Sequence, residues 1–401
     1  MRLLVVYNRP WYAYALLVLF SLFFGLSYAS VMYLEEDQSE LRDRATSVAF
    51  VLFLFVGVGA VTLTAHLLLC RQLDSEEEPS FIEDAGQRRR LPKLWSYSVL
   101  FFSASVAAIA LSHFISFTVA VVMVISLACH LVAELHNRGD GGDCVTRQDA
   151  LGCATAGLGA ALVVLGGLWQ EMATYHASLG EALLSLLGWG SSVIVSGVCW
   201  ACFTRQLREM SQRVSQQFLL STSLVMCTVA LGIGTYVANV ALTSDETSSA
   251  ALAGVAAQTT GGAEAASALQ LLDLVLLPCH RFFPDVVVLL GGGLCSLLCW
   301  YAYHAVSFYV DHASSAACMV LGAVLSAVPL IVARVLRIGW ADVTASALLQ
   351  GSLAVMVVGV VAVEAGSAVV VWSGFRYRRE VEIRIVLEKS RFSFPRANAN
   401  A

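Results

Sequence analysis

The stretch TASALLQGSLAVMVVGVVAVEAGSAVVVW, from Thr344 to Trp372, carries Glu364 as its one charged residue. A helix needs about 20 predominantly apolar residues to cross the hydrocarbon core of a bilayer, and this stretch exceeds that length. The residues on both sides of Glu364 are small or aliphatic. We therefore predict a membrane-spanning helix here, with a carboxyl group inside the membrane.

Nine further stretches meet the same criterion of length and apolar content. They run approximately over Trp11–Tyr33, Ser47–Cys70, Leu94–Ser112, Phe114–Leu135, Leu151–Trp169, Glu181–Phe203, Phe218–Leu242, Val286–Val310 and Ser314–Ala333. The weakest boundary is the short break at Ser112 and His113, between the third and fourth stretches. The pattern predicts an all-α polytopic membrane protein with about ten transmembrane helices.

The composition of the whole chain points to the same class of protein. Of its 401 residues, 58% are hydrophobic and only 13% are charged. Soluble domains carry roughly 25% charged residues, because a folded surface needs charge to stay dispersed in water. Lipid must therefore be the solvent for much of this surface. The same composition excludes a disordered chain, a collagen-like fibre and a disulfide-rich secreted scaffold.

Lysine and arginine residues are distributed unevenly between the two sides of the predicted bundle. With a cytosolic N-terminus, 19 of the 24 basic residues fall on the cytosolic side, including those of the tail that follows Trp372. Arg334 and Arg337 run against this trend. Because cytosolic loops are enriched in basic residues, we predict an integral membrane protein with both termini in the cytosol. The sequence does not identify the membrane.

The lengths of the connections repeat between the two halves of the chain. The longest connection follows the second helix in each half, over Arg71–Lys93 and Thr243–Asp285, and the tightest follows the third. This pattern divides the chain into two five-helix halves, residues 1–180 and 181–372, followed by a basic cytosolic tail over residues 373–401. Because each half has an odd number of helices, the two halves must insert with opposite orientation. This inverted plan is common among secondary carriers. In this outline the chain resembles the drug/metabolite carriers, although the halves share no sequence motif.

Apart from Glu181, which begins the sixth stretch, five charged or histidine residues lie inside the predicted spans, all on even-numbered helices: His66, His130, Glu134, His304 and Glu364. Burying such a group in a membrane costs at least ~2.5 kcal/mol, so each is a candidate for function. One interpretation is a polar vestibule facing the cytosol, in which Glu364 binds a proton or cation and the histidines relay protons. A second interpretation places His66, His130 and Glu134 near helix ends, where they reach water and headgroups.

Motifs for cofactors, metals and hydrolysis are missing from the sequence. It contains no Walker A loop, GxSxG elbow or HExxH motif. The CxxC of Cys199 and Cys202 lies in an apolar span without a second pair, so we predict no metal site. No helix carries two histidines placed for stacked haems, and we predict no cofactor. Nothing in the sequence predicts catalytic residues or a nucleic-acid partner.

These observations favour a secondary carrier of a small solute, in which Glu364 couples transport to a proton or cation and His304, His130 and His66 support it. The main alternative is a non-catalytic subunit of a larger membrane complex, and a further one is a membrane-embedded lipid-modifying enzyme. Besides the bilayer, the expected partners are the solute, other membrane subunits, and anionic lipid headgroups at the basic tail. A carrier requires a polar cavity lined by both halves, whereas a subunit requires a solid bundle.

Overall fold

The computed structural model of the chain describes residues 13–23, 41–73, 89–111, 115–136, 145–175, 179–211, 214–254, 286–306, 310–338 and 347–393. These residues form ten helices and no strand, so the all-α prediction is confirmed for this part of the chain. In chain order they are α1 (Ala13–Phe23), α2 (Leu41–Leu73), α3 (Leu91–Leu111), α4 (Ile115–His136), α5 (Arg147–Tyr175), α6 (Leu179–Ser211), α7 (Gln216–Gly254), α8 (Val286–Val306), α9 (His312–Ile338) and α10 (Ala347–Ser393).

Each predicted apolar stretch overlaps one helix, and seven of the described helices are long and apolar enough to cross a membrane. These membrane-length segments are Val48–Leu69, Leu91–Leu111, Thr118–His136, Arg147–Trp169, Leu186–Ser211, Gln216–Val237 and Gly351–Arg376. Two further helices are apolar over shorter lengths, Ala13–Phe23 and His312–Leu325. Several long apolar helices are compatible with an integral membrane protein. Ten membrane crossings stay a prediction.

Large apolar side chains cover the outer surface of the bundle. On α5, Leu151, Leu158 and Leu165 recur at heptad spacing and are 66%, 69% and 55% exposed. Leu184 and Trp372 are exposed to similar extents on α6 and α10. Soluble monomers rarely present contiguous apolar patches of this kind, because water contact with apolar surface is unfavourable. This surface fits contact with lipid.

Three helices continue well beyond the apolar stretches that predicted them. The α6 helix ends at Ser211 rather than near Phe203, and α7 ends at Gly254 rather than near Leu242. The α10 helix continues through the predicted tail to Ser393, and at 1.5 Å per residue it is about 70 Å long. Because backbone hydrogen bonding does not stop where hydropathy falls, the apolar stretches gave helix ends that were too early. The tail side chains beyond Arg376 lie outside the described residues.

Glycines bring α5 and α10 into close contact along their length. A Cβ atom on Gly159 would lie 2.5 Å from the carbonyl oxygen of Gly359, and one on Gly152 would lie 2.7 Å from that of Gly366. One heptad further along α5, Gly166 packs in the same way against Met356. Close backbone approach at small residues is how helices pack where lipid removes the hydrophobic driving force between them.

A cluster of aromatic side chains fills the centre of the bundle and joins α1, α3, α6 and α8. Trp200 of α6 lies 4.6 Å from Phe101 of α3 between ring centroids. Phe20 of α1 lies 4.9 Å from Tyr303 of α8, and Trp300 is buried beside both. The Oγ of Ser21 donates a hydrogen bond to the carbonyl of Met319, which ties α1 to α9 as well. The aromatic cluster forms one wall of the cavity described below.

Candidate functional site

A small polar cavity lies where the ends of α4 and α6 meet the start of α7, the end of α8 and the start of α9. Its volume is about 20 Å³, which is room for about one water molecule. Its polar side chains are those of His130, Thr204, Arg208, Ser211, Gln216, His312 and Ser315. Its apolar wall includes Trp200 and Tyr303 of the aromatic cluster. We call this space the histidine cavity.

Two histidines and a threonine form its central contacts. The imidazole rings of His130 and His312 stack with their centroids 4.9 Å apart and their planes 12° apart. The Nε2 of His130 lies 3.3 Å from the Oγ1 of Thr204. Because that hydroxyl donates to the carbonyl of Trp200 at 3.0 Å, its lone pairs remain for the N–H of the imidazole. These contacts join α4, α6 and α9.

The start of α9 is fixed by a helix cap. The Oδ2 of Asp311 accepts a hydrogen bond from the backbone N–H of Ser314 at 3.0 Å, and its carbonyl accepts one from Ser315 at 2.9 Å. An aspartate in this position satisfies backbone donors that the first turn leaves unpaired. The cap holds His312 and Ser315 at the cavity wall. The positive end of the α9 dipole also lies there.

The one permanently charged side chain in the described lining of the cavity belongs to α6. Arg208 lines the cavity, one turn beyond Thr204 on the same helix. Arg205 lies outside the lining and pairs with Glu209 at 3.3 Å, and Glu209 also lies 3.7 Å from Arg90. Those three side chains are about half exposed. The described lining of the cavity therefore contains a guanidinium group and two imidazoles but no carboxylate.

The structure brings only part of the predicted vestibule together. His130 lines the histidine cavity. His66 lies on α2, half-buried, with its ring edge against Tyr301 at 5.9 Å, and is not part of the lining. Glu134 is half-buried on α4, one turn beyond His130. The backbone of His304 belongs to α8, but its side chain lies outside the described residues.

Glu364 occupies a separate place in the fold. It lies half-buried on α10 and makes no hydrogen bond or ion pair within the part of the chain that the structure describes. Its neighbour Val363 lines a second cavity, of about 10 Å³, whose walls from α4, α5, α9 and α10 are entirely apolar. Glu364 does not line the histidine cavity. The predicted coupling residue and the predicted histidine His130 therefore do not share one lining.

Sequence reasoning missed most of the cavity. The predicted apolar stretches leave Arg208 and His312 outside, because the stretch of α6 ends at Phe203 and that of α9 begins at Ser314. A signal was present, because Thr204 and Arg208 are spaced by one helical turn beyond an apolar span. Recognising it required knowing that α6 continues to Ser211.

Comparisons with known proteins do not add a family to these observations. No protein-family model matches the sequence, and no curated protein matches it. Among solved structures, one described as "Crystal structure of protein" is similar to the chain at 14% identity with a TM-score of 0.45. That match covers 90% of this chain and 97% of the other. Within the described residues, no three His, Cys, Asp or Glu side chains lie close enough together to hold a metal ion.

Proposed function

We propose that the chain is a secondary carrier of a small polar solute, which binds in the histidine cavity. The observation that supports this proposal is that both predicted halves of the chain contribute residues to the lining of the cavity. His130 comes from the first predicted half, whereas Thr204, Arg208 and His312 come from the second. A site between two halves is what a carrier needs, since movement of one half against the other exposes it to alternate sides.

The pairing of helices supports two inverted halves, residues 1–180 and 181–372. Three helices pack extensively against the helix five positions later in the chain, giving the pairs α2–α7, α4–α9 and α5–α10. Other contacts recur when the halves are exchanged, because α3 packs on α7 as α2 packs on α8. In the same way, α4 packs on α6 and α1 packs on α9. A repeat architecture accounts for this pattern without any shared motif.

The cavity is too small to hold a solute as it stands, so the proposed transport requires a conformational change that enlarges it. A volume of about 20 Å³ is far below the roughly 300–1,000 Å³ of pockets that enclose drug-sized ligands. The stacked rings of His130 and His312 close the space between α4 and α9. We propose that these two helices separate to admit the solute. The aromatic cluster around Trp200 then remains as the fixed wall.

Uptake of a panel of labelled solutes into proteoliposomes tests this proposal. Thr204→Val removes the hydroxyl that contacts His130 and keeps a β-branched side chain. Because a lost hydrogen bond costs about 1 kcal/mol, we expect uptake of the transported solute to fall about five-fold. Thr155→Val is the matched control, since Thr155 on α5 bonds to the carbonyl of Leu151 at 2.9 Å and lies outside the cavity.

Two outcomes would contradict the carrier. One is that no solute in the panel accumulates above the level in protein-free liposomes, which would favour the membrane-subunit alternative. The other is that Thr204→Val and Thr155→Val transport equally well. Each variant must first show the same insertion and yield as the wild type, so that a folding defect is not taken for a loss of binding.

A further inference from the structure

We infer that the start of α3 binds the headgroup of an anionic phospholipid through the exposed basic side chains of Arg89 and Lys93. The acyl chains of the same lipid lie along the side of α3 that faces away from the bundle. This contact is with the membrane rather than with a transported solute, so it does not depend on the carrier proposal.

The start of α3 lies at one end of a membrane-length segment. That segment covers Leu91–Leu111, and Pro92 is its second residue. Proline is tolerated in the first helical turn, because the N–H that it lacks would be unpaired there in any case. Leu94 is fully buried, and its backbone N–H donates to the carbonyl of Arg90 at 3.1 Å. The first turn is thereby fixed against the bundle, and the basic residues around it lie at the membrane boundary.

A tryptophan next to these basic residues marks the level of the headgroups. Trp95 is half-buried, and its Nε1 donates to the Oγ1 of Thr222 on α7 at 3.4 Å. Tryptophan is enriched at membrane–water interfaces, because its ring is apolar and its N–H is polar. Lys93 lies two residues nearer the helix end, about 3 Å further along the axis. Its ammonium group can therefore reach lipid phosphates.

Lys93 also lies on the side of α3 that is open to lipid. Beyond Pro92, the exposed residues of the helix recur at i, i+3, i+7 and i+10, and they are Lys93, Ser96, Leu100 and Ser103. The hydroxyl of Ser96 donates to the carbonyl of Pro92 at 2.7 Å, so it does not require water. Leu100 is 50% exposed. A positive charge at the boundary above a weakly polar, water-free side matches a phospholipid with an anionic headgroup.

The charge at this end of α3 is positive. Glu209 is shared between Arg90 at 3.7 Å and Arg205 at 3.3 Å, which leaves one carboxylate between two guanidinium groups. Arg89 and Lys93 are exposed and form no ion pair within the part of the chain that the structure describes. Basic clusters directly beside a membrane helix attract anionic lipids, which are enriched in the cytosolic leaflet. Topology needs basic residues only somewhere in the connection, whereas lipid binding needs them above a lipid-facing side, as they are here.

The test uses purified protein in mixed micelles of constant total lipid, in which phosphatidylglycerol progressively replaces phosphatidylcholine. Thermal unfolding is followed for the wild type and for Arg89→Gln/Lys93→Gln. We expect phosphatidylglycerol to raise the Tm of the wild type, because a ligand that binds the folded state stabilises it. In the double variant the half-maximal rise should require at least about ten-fold more phosphatidylglycerol, since each basic residue near the surface contributes roughly five-fold in affinity.

Three further arms make the comparison specific. Arg147→Gln/Arg376→Gln removes the same charge from exposed positions on α5 and α10 of the same predicted side, and it should respond like the wild type. Arg89→Lys/Lys93→Arg keeps both charges and should also respond like the wild type. Raising the NaCl concentration from about 0.05 to 0.5 M should weaken the wild-type response, because salt screens exposed charges.

Lys93→Gln alone covers the case in which the double variant does not fold, with an expected shift of about five-fold. The inference is overturned if phosphatidylglycerol leaves the Tm of the wild type unchanged, or if the double variant responds like the wild type. An equal loss in Arg147→Gln/Arg376→Gln would also overturn it, because diffuse surface charge would then account for the effect. If sodium phosphate without lipid reproduces the rise, the anion rather than the lipid is recognised and the inference fails.

The acidic run Asp74–Glu78 belongs to the same connection and lies outside the described residues. It is the competing partner for Arg89 and Lys93. A chain with Glu76→Gln, Glu77→Gln and Glu78→Gln tests it. If this chain responds to phosphatidylglycerol and the wild type does not, the acidic run occupies the basic side chains and the lipid site is rejected.

Discussion

Glu364 puts a carboxyl group on the membrane-length segment of α10, half-buried and without a hydrogen bond or ion pair in the described structure. Keeping such a group in a span costs at least ~2.5 kcal/mol. The flanking residues Val363 and Ala365 provide no donor. We propose that Glu364 binds a proton or cation during transport, which would explain why a carboxyl group is retained in the span despite this cost. It requires the two sites to communicate through helix movement, because Glu364 does not line the histidine cavity.

We predict that Glu364→Gln uncouples transport from the proton gradient. Wild-type proteoliposomes with an acidic exterior should take up solute several-fold faster than those at equal pH, because a carboxylate that loads a proton outside releases it inside. The amide cannot carry a proton, so uptake by Glu364→Gln should be the same with and without the gradient. The measurement is initial uptake at fixed membrane potential.

Glu209→Gln is the control for that comparison. Glu209 is an exposed acidic residue that pairs with Arg205 and Arg90, and it lies outside both cavities. Its amide variant should retain the full response to the gradient. A Glu364→Gln protein that still responds like the wild type would show that the coupling residue lies elsewhere.

At the scale of helices, the glycines of α5 and α10 determine how closely this pair packs. We predict that Gly159→Ala destabilises the protein by about 1–3 kcal/mol, because the new methyl group would lie 2.5 Å from the carbonyl oxygen of Gly359 and the backbones must separate. The measurement is the Tm and the denaturant midpoint in mild detergent.

Gly157→Ala is the matched control on the same helix. A Cβ atom there has nothing within 4 Å, and alanine favours helix over glycine. Its Tm should stay unchanged or rise slightly. Equal Tm values for the two variants would mean that α5 and α10 are not held together by backbone contact at Gly159.

The helices also show what a sequence can and cannot predict about this fold. Length and hydropathy located the ten helices of the described residues, because each of them contains a long, predominantly apolar run. The same rule placed the end of α6 near Phe203, where apolar residues give way to Thr204 and Arg205. Backbone hydrogen bonding continues that helix to Ser211, and the additional turns contain three of the polar residues that line the cavity, Thr204, Arg208 and Ser211.

At the scale of the whole molecule, the candidate site depends on contacts between residues far apart in the chain. Hydropathy identified His130 as a buried ionisable residue, because it lies within a predicted span. It could not place His130 against His312, since that contact depends on the packing of α4 on α9. For the same reason it grouped Glu364 with the histidines only because all of them lie inside predicted spans. Depth along the membrane normal is predictable from helix rise, whereas lateral neighbours require the tertiary structure.

The orientation of the whole bundle gives the last prediction, and it tests the inverted plan directly. The native chain contains no Asn-x-Ser/Thr acceptor, so a single inserted site reports the side on which a loop lies. With cytosolic termini, an acceptor inserted between residues 255 and 285 should be glycosylated during insertion into microsomes, whereas one inserted between 74 and 88 should not. These connections follow the second helix of each half, so opposite results are required if the halves insert in opposite orientations. Glycosylation of both sites, or of the 74–88 insertion alone, would contradict the predicted topology and with it the arrangement that alternating access requires.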